Sequence, residues 1–406
     1  MARQSGKQQI AIGKNPERSR DHNRRVVLDL VRMHGSLGRM HIAKLSHLTA
    51  PAVANIVDEL VSEKFLMEIG RRRSGRGQPP IQFAVNPDGA ITIGVEIAAD
   101  HMVTTVLDLS GQIRSKAITP VADAGPAHIV PLFARQIAEM KRRFPLKLLG
   151  TGVVMPGPFE IEGMSSVGPT TLPGWSVTNP VAVLSEASGE TVIVENDANA
   201  AAVGERLFGA GRAISNFCMI YFGVGVGLGQ IHDGLLFRGA FGNAGEIGHV
   251  VVAPRGKPCA CGQHGCLEGY ASLHALREKL ALAGHRNVDF SMIEALHRDG
   301  DPVLREWIAE TADCLSPMVA MLENVIDPET VILGGALPDA VIDDIVAAMQ
   351  ELPVSVASRR ARALPRVIRG QAGQLTAALG AAALPLFEVV TPKLEISPTV
   401  IADSAA

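Results

Sequence analysis

At 406 residues, 47% hydrophobic and 19% charged with 41 glycines, the chain has a globular profile and is too long for one ordinary core, so two or three domains are expected. Its first 25 residues hold no apolar signal-peptide region, and no stretch reaches the roughly 18 charge-free apolar residues of a membrane span; a cytoplasmic protein with no membrane partner is expected. The net charge of −3 hides a split: residues 1–85 carry 15 Lys and Arg against 7 Asp and Glu, and the remainder 23 against 34, which fits a polyanion-binding head on an acidic body or a solvated basic tail.

In chain order, a flexible tail is expected over residues 1–20, and the pattern over 21–86 decides between those two readings. Val26, Val27, Leu30 and Val31 recur at helical spacing, and Gly35 after His34 is a natural helix end. A short second helix is predicted over 40–46, with Ile42, Ala43 and Leu45 facing inward. Thr49 then caps a third helix that has Pro51 in its first turn. Val53, Ile56, Val57, Leu60 and Val61 form its buried stripe; Pro51, Ala52, Asn55 and Asp58 form a small, polar outer face. Residues 66–69 and 81–85 alternate like strands on either side of a basic, glycine-interrupted tip holding Arg71, Arg72, Arg73 and Arg76. Three helices followed by a basic hairpin predict a winged helix-turn-helix, and with it double-stranded operator DNA as partner. Thr49, Pro51, Ala52 and Asn55 are the candidate groove-facing residues, and the four arginines are candidates for phosphates or the minor groove.

From residue 91 strand-like and helix-like stretches alternate, as in an α/β domain. Residues 91–97 and 102–108, with a turn at Ser110-Gly111, predict a hairpin. Residues 148–154 form a β-rich run, and 191–194 a strand delivering Glu195-Asn196-Asp197-Ala198-Asn199, with helical periodicity over 200–208. Residues 217–222 lead into the glycine run Gly223 to Gly229, and 331–333 end at Gly334-Gly335. Strands that end in polar or glycine-rich loops line the kind of cleft in which α/β proteins place ligands.

Cys259, Cys261 and Cys266, in a loop punctuated by Gly262 and Gly265, offer three thiolates at C-x-C-x4-C spacing. His249, ten residues upstream, completes a tetrahedral zinc site better than His264 inside the loop. Four protein ligands make such a zinc structural, one ion per chain. Cys218 and Cys314 stand alone in apolar runs as core residues.

Glu246-Ile247-Gly248-His249 followed by Cys259-x-Cys261-Gly262-x-x-Gly265-Cys266-x-Glu268, with Asn196-Asp197 and Gly223-x-Gly225-x-Gly227 before it, resembles the signature of the ROK family of repressors, open reading frames and kinases. The winged head resembles its repressor branch, that of the xylose and N-acetylglucosamine repressors. The resemblance spans residues 20–390. It implies a two-lobed actin-like, ribonuclease H-like sugar-kinase fold over 90–390. One lobe covers about 90–195 with a C-terminal return, the other about 196–375, and a tail occupies 391–406. It also implies that Asn196, Asp197, Glu246, His249 and Glu268, with Gly157 and Thr170, contact a sugar or sugar-phosphate effector. In the kinases, the aspartate matching Asp197 is the general base.

The departures from the kinase pattern fall on the nucleotide side. Where the kinases carry an Asp-x-Gly-Gly-Thr phosphate turn, this chain reads Glu96-Ile97-Ala98-Ala99-Asp100, and Val224 replaces the threonine of the second phosphate loop. Alanine keeps the backbone away from a phosphate and Asp100 repels it. The expectation is therefore a sugar-responsive transcriptional repressor with no catalytic residue, acting as a homodimer or dimer of dimers; the alternative is an active sugar kinase with an accessory DNA-binding head.

Overall fold

The computed structural model describes residues 9–11, 16–71, 80–156, 172, 174–175, 178–349, 351–357, 362–373, 376–392 and 396–398. The chain divides into two compact units, Met1–Asn86 with Val389–Ala406, and Pro87–Glu388. No helix among the described residues is long and apolar enough to cross a membrane.

The first unit holds β1 (Gln9–Ala11), α1 (Pro16–His34), β2 (Leu37–Gly38), α2 (Arg39–Ser46), α3 (Ala50–Ser62), β3 (Leu66–Arg71) and β4 (Ile81–Val85). Val27, Leu28 and Val31 of α1, Ile42 of α2, and Val53, Ile56, Val57 and Leu60 of α3 close its core against Phe65, Leu66 and Phe83. Three details differ from the sequence reading, the first being that Val61, near the end of α3, is only half-buried. Leu28, not Val26 or Leu30, completes the buried face of α1, and Leu45 is 43% exposed. On an eight-residue helix, Ile42 fills the core by itself and Leu45 falls on the outer side. Arg24 bridges Glu59 and Glu63 at 2.5 and 2.7 Å, pinning α1 to α3. The strands order β2-β4-β3, all antiparallel. α1 begins inside the stretch expected as tail, and β1 pairs antiparallel with β15 (Ile396–Pro398).

The second unit carries two five-stranded sheets. β5 (Ile91–Ile97), β6 (His101–Asp108) and β7 (Ile113–Pro120) form an antiparallel meander, α4 (Pro126–Arg143) crosses over, and β8 (Leu148–Val154) returns parallel to β5. After α5 (Pro180–Ser188), β9 (Val192–Glu195) adds parallel to β8, giving the order β7-β6-β5-β8-β9. Ile129, Phe133, Ile137 and Met140 of α4 seal one face.

α6 (Asp197–Phe208) leads to the second sheet: β10 (Phe217–Phe222), β11 (Val226–His232) and β12 (Leu235–Leu236) antiparallel, then β13 (Thr330–Gly335) and β14 (Val367–Arg369) parallel beyond β10. A 3-10 turn, Ile247–His249, and the helices α7 (Glu268–Ala271), α8 (Leu273–Leu282), α9 (Phe290–Asp299), α10 (Pro302–Ile326) and α11 (Asp339–Ala348) belong to this half. Trp307, Leu315, Val319 and Leu322 of α10 pack with Ile220, Phe222, Val331 and Leu333 in its core.

The alanine-rich α12 (Thr376–Val390) joins the halves. A methyl group on Gly94 would lie 2.2 Å from the Ala382 nitrogen, and one on Gly152 would lie 1.9 Å from the Ala381 oxygen. A methyl group on Gly380 would likewise lie 2.3 Å from the Ala200 oxygen of α6. Small residues thus let α12 lie against the first sheet and α6 at backbone contact distance.

Candidate ligand site and metal centre

The parallel strands β5, β8 and β9 end in one row, with Glu96 opposite Val154 and Val154 opposite Glu195. The chain leaves β9 directly into α6, so Asn196 and Asp197 stand at a shared carboxyl edge of strands. Asn196 is the N-cap, and the Ala198 N–H donates to both Asn196 Oδ1 and Asp197 Oδ1 at 2.9 Å. Both residues remain half-buried.

Burial pushes the Asp197 carboxyl up to about 7; Glu96 and Glu246 add to the rise and the Ala198 N–H opposes it. Tyr221 is held well above its ordinary range by burial, with Glu96 and Asp197 contributing. Burial likewise raises Glu246, against His249 and with Glu268. Asp197 and Glu246 are therefore close enough for one carboxylate to act on the other, and Glu246 is likewise near His249 and Glu268, so these residues share one neighbourhood. Glu96, Glu195, Tyr221 and Arg238 also belong to it, and sequence reasoning gave them no role. The alternation of β5 and the position of Glu195 beside Asn196 were the available signals.

Glu195 is buried and fully engaged. It accepts from Asn199 Nδ2 at 3.0 Å, from the Asn196 N–H at 3.1 Å and from Arg238 Nε at 2.7 Å. Arg238 roots the loop that ends at Glu246: its carbonyl accepts from the Ala244 N–H at 3.1 Å, and the Leu228 N–H reaches Gly245 O at 2.9 Å. Gly245, at φ +109, leaves no room for a side chain, since a Cβ would sit 1.9 Å from Leu228 O.

The glycine run is not one loop. Gly223 and Gly225 close a tight turn through a 3.0 Å hydrogen bond, and Gly227 and Gly229 lie within β11. A methyl group on Gly229 would fall 2.3 Å from Ala198 O, and one on Gly223 would fall 3.1 Å from Asp197 Oδ2. The glycines thus seat the start of α6 on the sheet. At the other turn, the Ala98 N–H donates to His101 O at 2.9 Å, and His101 Nδ1 meets Asp100 Oδ1 at 2.6 Å.

His249, Cys259, Cys261 and Cys266 bring one nitrogen and three sulfurs within 4.8 Å of one another, a set able to hold a metal ion. Cys259 Sγ lies 3.5 Å from His249 Nδ1, and Cys261 Sγ lies 3.7 Å from Cys266 Sγ. His264 is exposed, in a β-bridge with Pro258, and stands outside this set. Backbone bonds from Leu267 N to Val250 O and from Cys259 N to Gln263 O hold the loop. Glu268 opens α7 two residues after Cys266, and a Cβ on Gly248 would approach its side chain to 3.5 Å.

In the first unit Thr49, Pro51 and Asn55 are exposed and Ala52 is half-buried; Thr49 Oγ1 accepts from the Ala52 N–H at 3.4 Å. Asp58 is bridged by Arg39. Arg71 ends β3. Arg72, Arg73, Arg76, Gly157 and Thr170 lie outside the described residues.

Paired five-stranded sheets linked through α6 and α12 are those of the actin-like sugar-kinase fold. The chain belongs to the ROK family, whose sequence profile matches residues 92–387. It is 31% identical over 329 residues to the xylose repressor of Caldicellulosiruptor bescii, covering 77% of this chain and 82% of that protein. A solved ROK family transcriptional regulator, a homolog of the Escherichia coli MLC protein, superposes with a TM-score of 0.71 at 22% identity, over 92% of this chain and 98% of its own; this likeness is one of fold. A ROK family glucokinase from Streptomyces griseus, solved with glucose and AMPPNP, superposes with a TM-score of 0.61 at 29% identity, over 72% of this chain and 98% of its own.

Proposed function

We propose that the protein is a sugar-responsive transcriptional repressor of carbohydrate genes, cytoplasmic, and a homodimer or dimer of dimers on paired half-sites of operator DNA. The observation that carries this is the coexistence of a grouped sugar-type site with a separate basic unit in a chain similar to a xylose repressor. In this reading the first unit is a winged helix-turn-helix. α3 presents Thr49, Pro51, Ala52 and Asn55 to base edges, and the Arg71, Arg72, Arg73 and Arg76 tip neutralises phosphates.

Asn196, Asp197, Glu246, His249 and Glu268, with Gly157 and Thr170, hold the sugar. Carboxylates and an amide suit several hydroxyl donors at once. His249, Cys259, Cys261 and Cys266 would hold one zinc ion, for which three thiolates and an imidazole are a suitable donor set. The ion supplies structure, fixing the loop between Glu246 and Glu268, and no chemistry.

Phosphoryl transfer is absent in this reading: Ala98, Ala99, Asp100 and Val224 occupy the turns in which a kinase cradles phosphates. One observation favours an active kinase instead, since a carboxyl at about 7 is poised as a general base. ATP consumption in the presence of common pentoses and hexoses separates the two. The repressor reading expects no sugar-dependent turnover above background; turnover that disappears in Asp197→Asn would establish the kinase.

A further inference from the structure

Two buried carboxylates, Glu195 and Glu205, each fasten a place where the chain passes between the halves of the second unit. α6 lies on the second sheet, since methyl groups on Gly227 and Gly229 of β11 would fall 2.7 Å from Ala198 Cβ and 2.3 Å from Ala198 O. α12 lies on the first sheet, and the two helices meet where a methyl group on Gly204 would fall 3.4 Å from Gly380 Cα. The chain therefore crosses between β9 and α6, at residues 195–197, and again after β14, where residues 370–373 lead to α12. Glu195 binds the first crossing to the second half through Asn199 Nδ2 and Arg238 Nε. Glu205, on α6 and 1% exposed, binds the second. Its Oε1 accepts from the Gln371 and Ala372 N–H groups at 2.8 and 2.9 Å, and its Oε2 accepts from the Ala210 N–H at 2.7 Å. Gly370 leaves room for this, because a Cβ there would lie 2.5 Å from Glu205 Oε1. A buried carboxylate held by N–H groups from two loops has one favourable geometry, and a lost donor leaves its charge unsatisfied.

Resting on the sugar-sensor reading, we infer that Glu205 is the positioning residue of a hinge. With Glu195 it holds both crossings to the second half, so the halves turn on each other about the line joining two fixed points. Asp197 stands in the first crossing, and Glu96 of the first sheet and Glu246 of the second half both act on it, so a ligand bound there engages both halves and sets their angle. α12 carries the chain on from the second crossing, and near its end, at Val389, the chain rejoins the first unit. A change of angle at the ligand is thereby passed along one helix to the stretch of chain that belongs with the first unit.

The test is the operator affinity of the full-length protein, by fluorescence anisotropy, without sugar and with a saturating one: xylose, glucose or N-acetylglucosamine, whichever binds in calorimetric titration. Glu205→Gln keeps the side-chain volume but offers a single acceptor oxygen and turns an NH2 donor toward N–H groups on its other side. Gly370→Ala displaces the same carboxylate from outside α6. Both variants should bind operator as wild type does when no sugar is present. With sugar bound, they should retain less than about a fifth of the roughly 5- to 150-fold weakening expected of wild type. Because the sugar is saturating, a merely structural role, which lowers stability or sugar affinity, leaves that ratio at its wild-type value. A wild-type ratio in either variant overturns the inference and leaves the sensor reading standing, and so does operator binding lost before sugar is added. Failure of all three sugars to bind wild type at millimolar concentration, or binding that leaves its operator affinity unchanged, overturns the sensor reading and this inference with it.

Discussion

Asp197 is held at the start of α6 by its bond from the Ala198 N–H, yet burial and the neighbouring Glu96 and Glu246 carboxylates work against its ionised form. With the folded value near 7 and the unfolded value near 3.8, the folded state binds more protons between those limits. The ionised carboxylate therefore adds no penalty below about pH 4; a destabilisation grows as pH rises and is full above pH 7, on the order of 4 kcal/mol at most. Asp197→Asn should accordingly raise the melting temperature at pH 8 while abolishing the sugar response, a trade of stability for function. If sugar hydroxyls donate to the ionised form, affinity should fall about tenfold between pH 8 and pH 6. Calorimetric titration of wild type at both values checks this, and a flat profile would contradict the assigned role.

The packing of α6 shows at the level of elements why the glycine run is so dense. Gly229→Ala would force a methyl group into Ala198 O and Ala202 Cβ, at 2.3 and 2.6 Å, where backbone must shift. A loss of about 1–3 kcal/mol is expected, measured by urea unfolding, together with weakened sugar binding because Asn196 and Asp197 move with the helix. Stability matching wild type would show that β11 and α6 are not so tightly seated. These glycines were visible in the sequence but their role was not, because periodicity cannot separate a phosphate loop from a helix seat. β8 and β10 were legible to the residue, because both are buried β-branched or aromatic runs bounded by turns. The edge strand β7 was not, since Arg114 and Lys116 interrupt its apolar pattern on the exposed face. Glu195 and Arg238 were unreadable for another reason: they meet across 43 residues, and only the fold brings them together. The cluster of His249, Cys259, Cys261 and Cys266 was legible because its members lie within eighteen residues of chain.

α3 invites an experiment of the same kind. Asn55 projects from its exposed face beside Pro51, whereas the arginines follow β3. Asn55→Ala should relax preference at one operator position, costing about 1–3 kcal/mol there. Replacing Arg72 and Arg73 should weaken binding to every sequence and flatten its salt dependence. Selection of bound sequences from a random pool, repeated at two salt concentrations, distinguishes them. An equal loss of specificity from both changes would contradict the division of roles.

Over the whole molecule, the proposed function divides the work of binding DNA and binding sugar between the basic first unit and the acidic remainder. In that proposal the cysteine loop supports sugar binding, while the first unit has a core of its own. Cys261→Ala removes one of the four proposed metal ligands, and among the described residues no other side chain joins that set. Metal content by elemental analysis should fall to near zero, and the sugar response with it, while operator binding persists: a repressor that cannot be induced. A metal-free variant that still responds to sugar would separate the metal from the sensor.

The central claim, that sugar held in the second unit governs DNA held by the first, is tested most directly by one equilibrium. Operator affinity of the full-length protein is measured by fluorescence anisotropy on DNA from its own promoter regions, without and with saturating free sugar. Coupling free energies of about 1–3 kcal/mol predict a drop in operator affinity of roughly 5- to 150-fold when the sugar is present, and an equal drop in sugar affinity when operator is present. An operator affinity unchanged by a sugar that demonstrably binds would contradict the account.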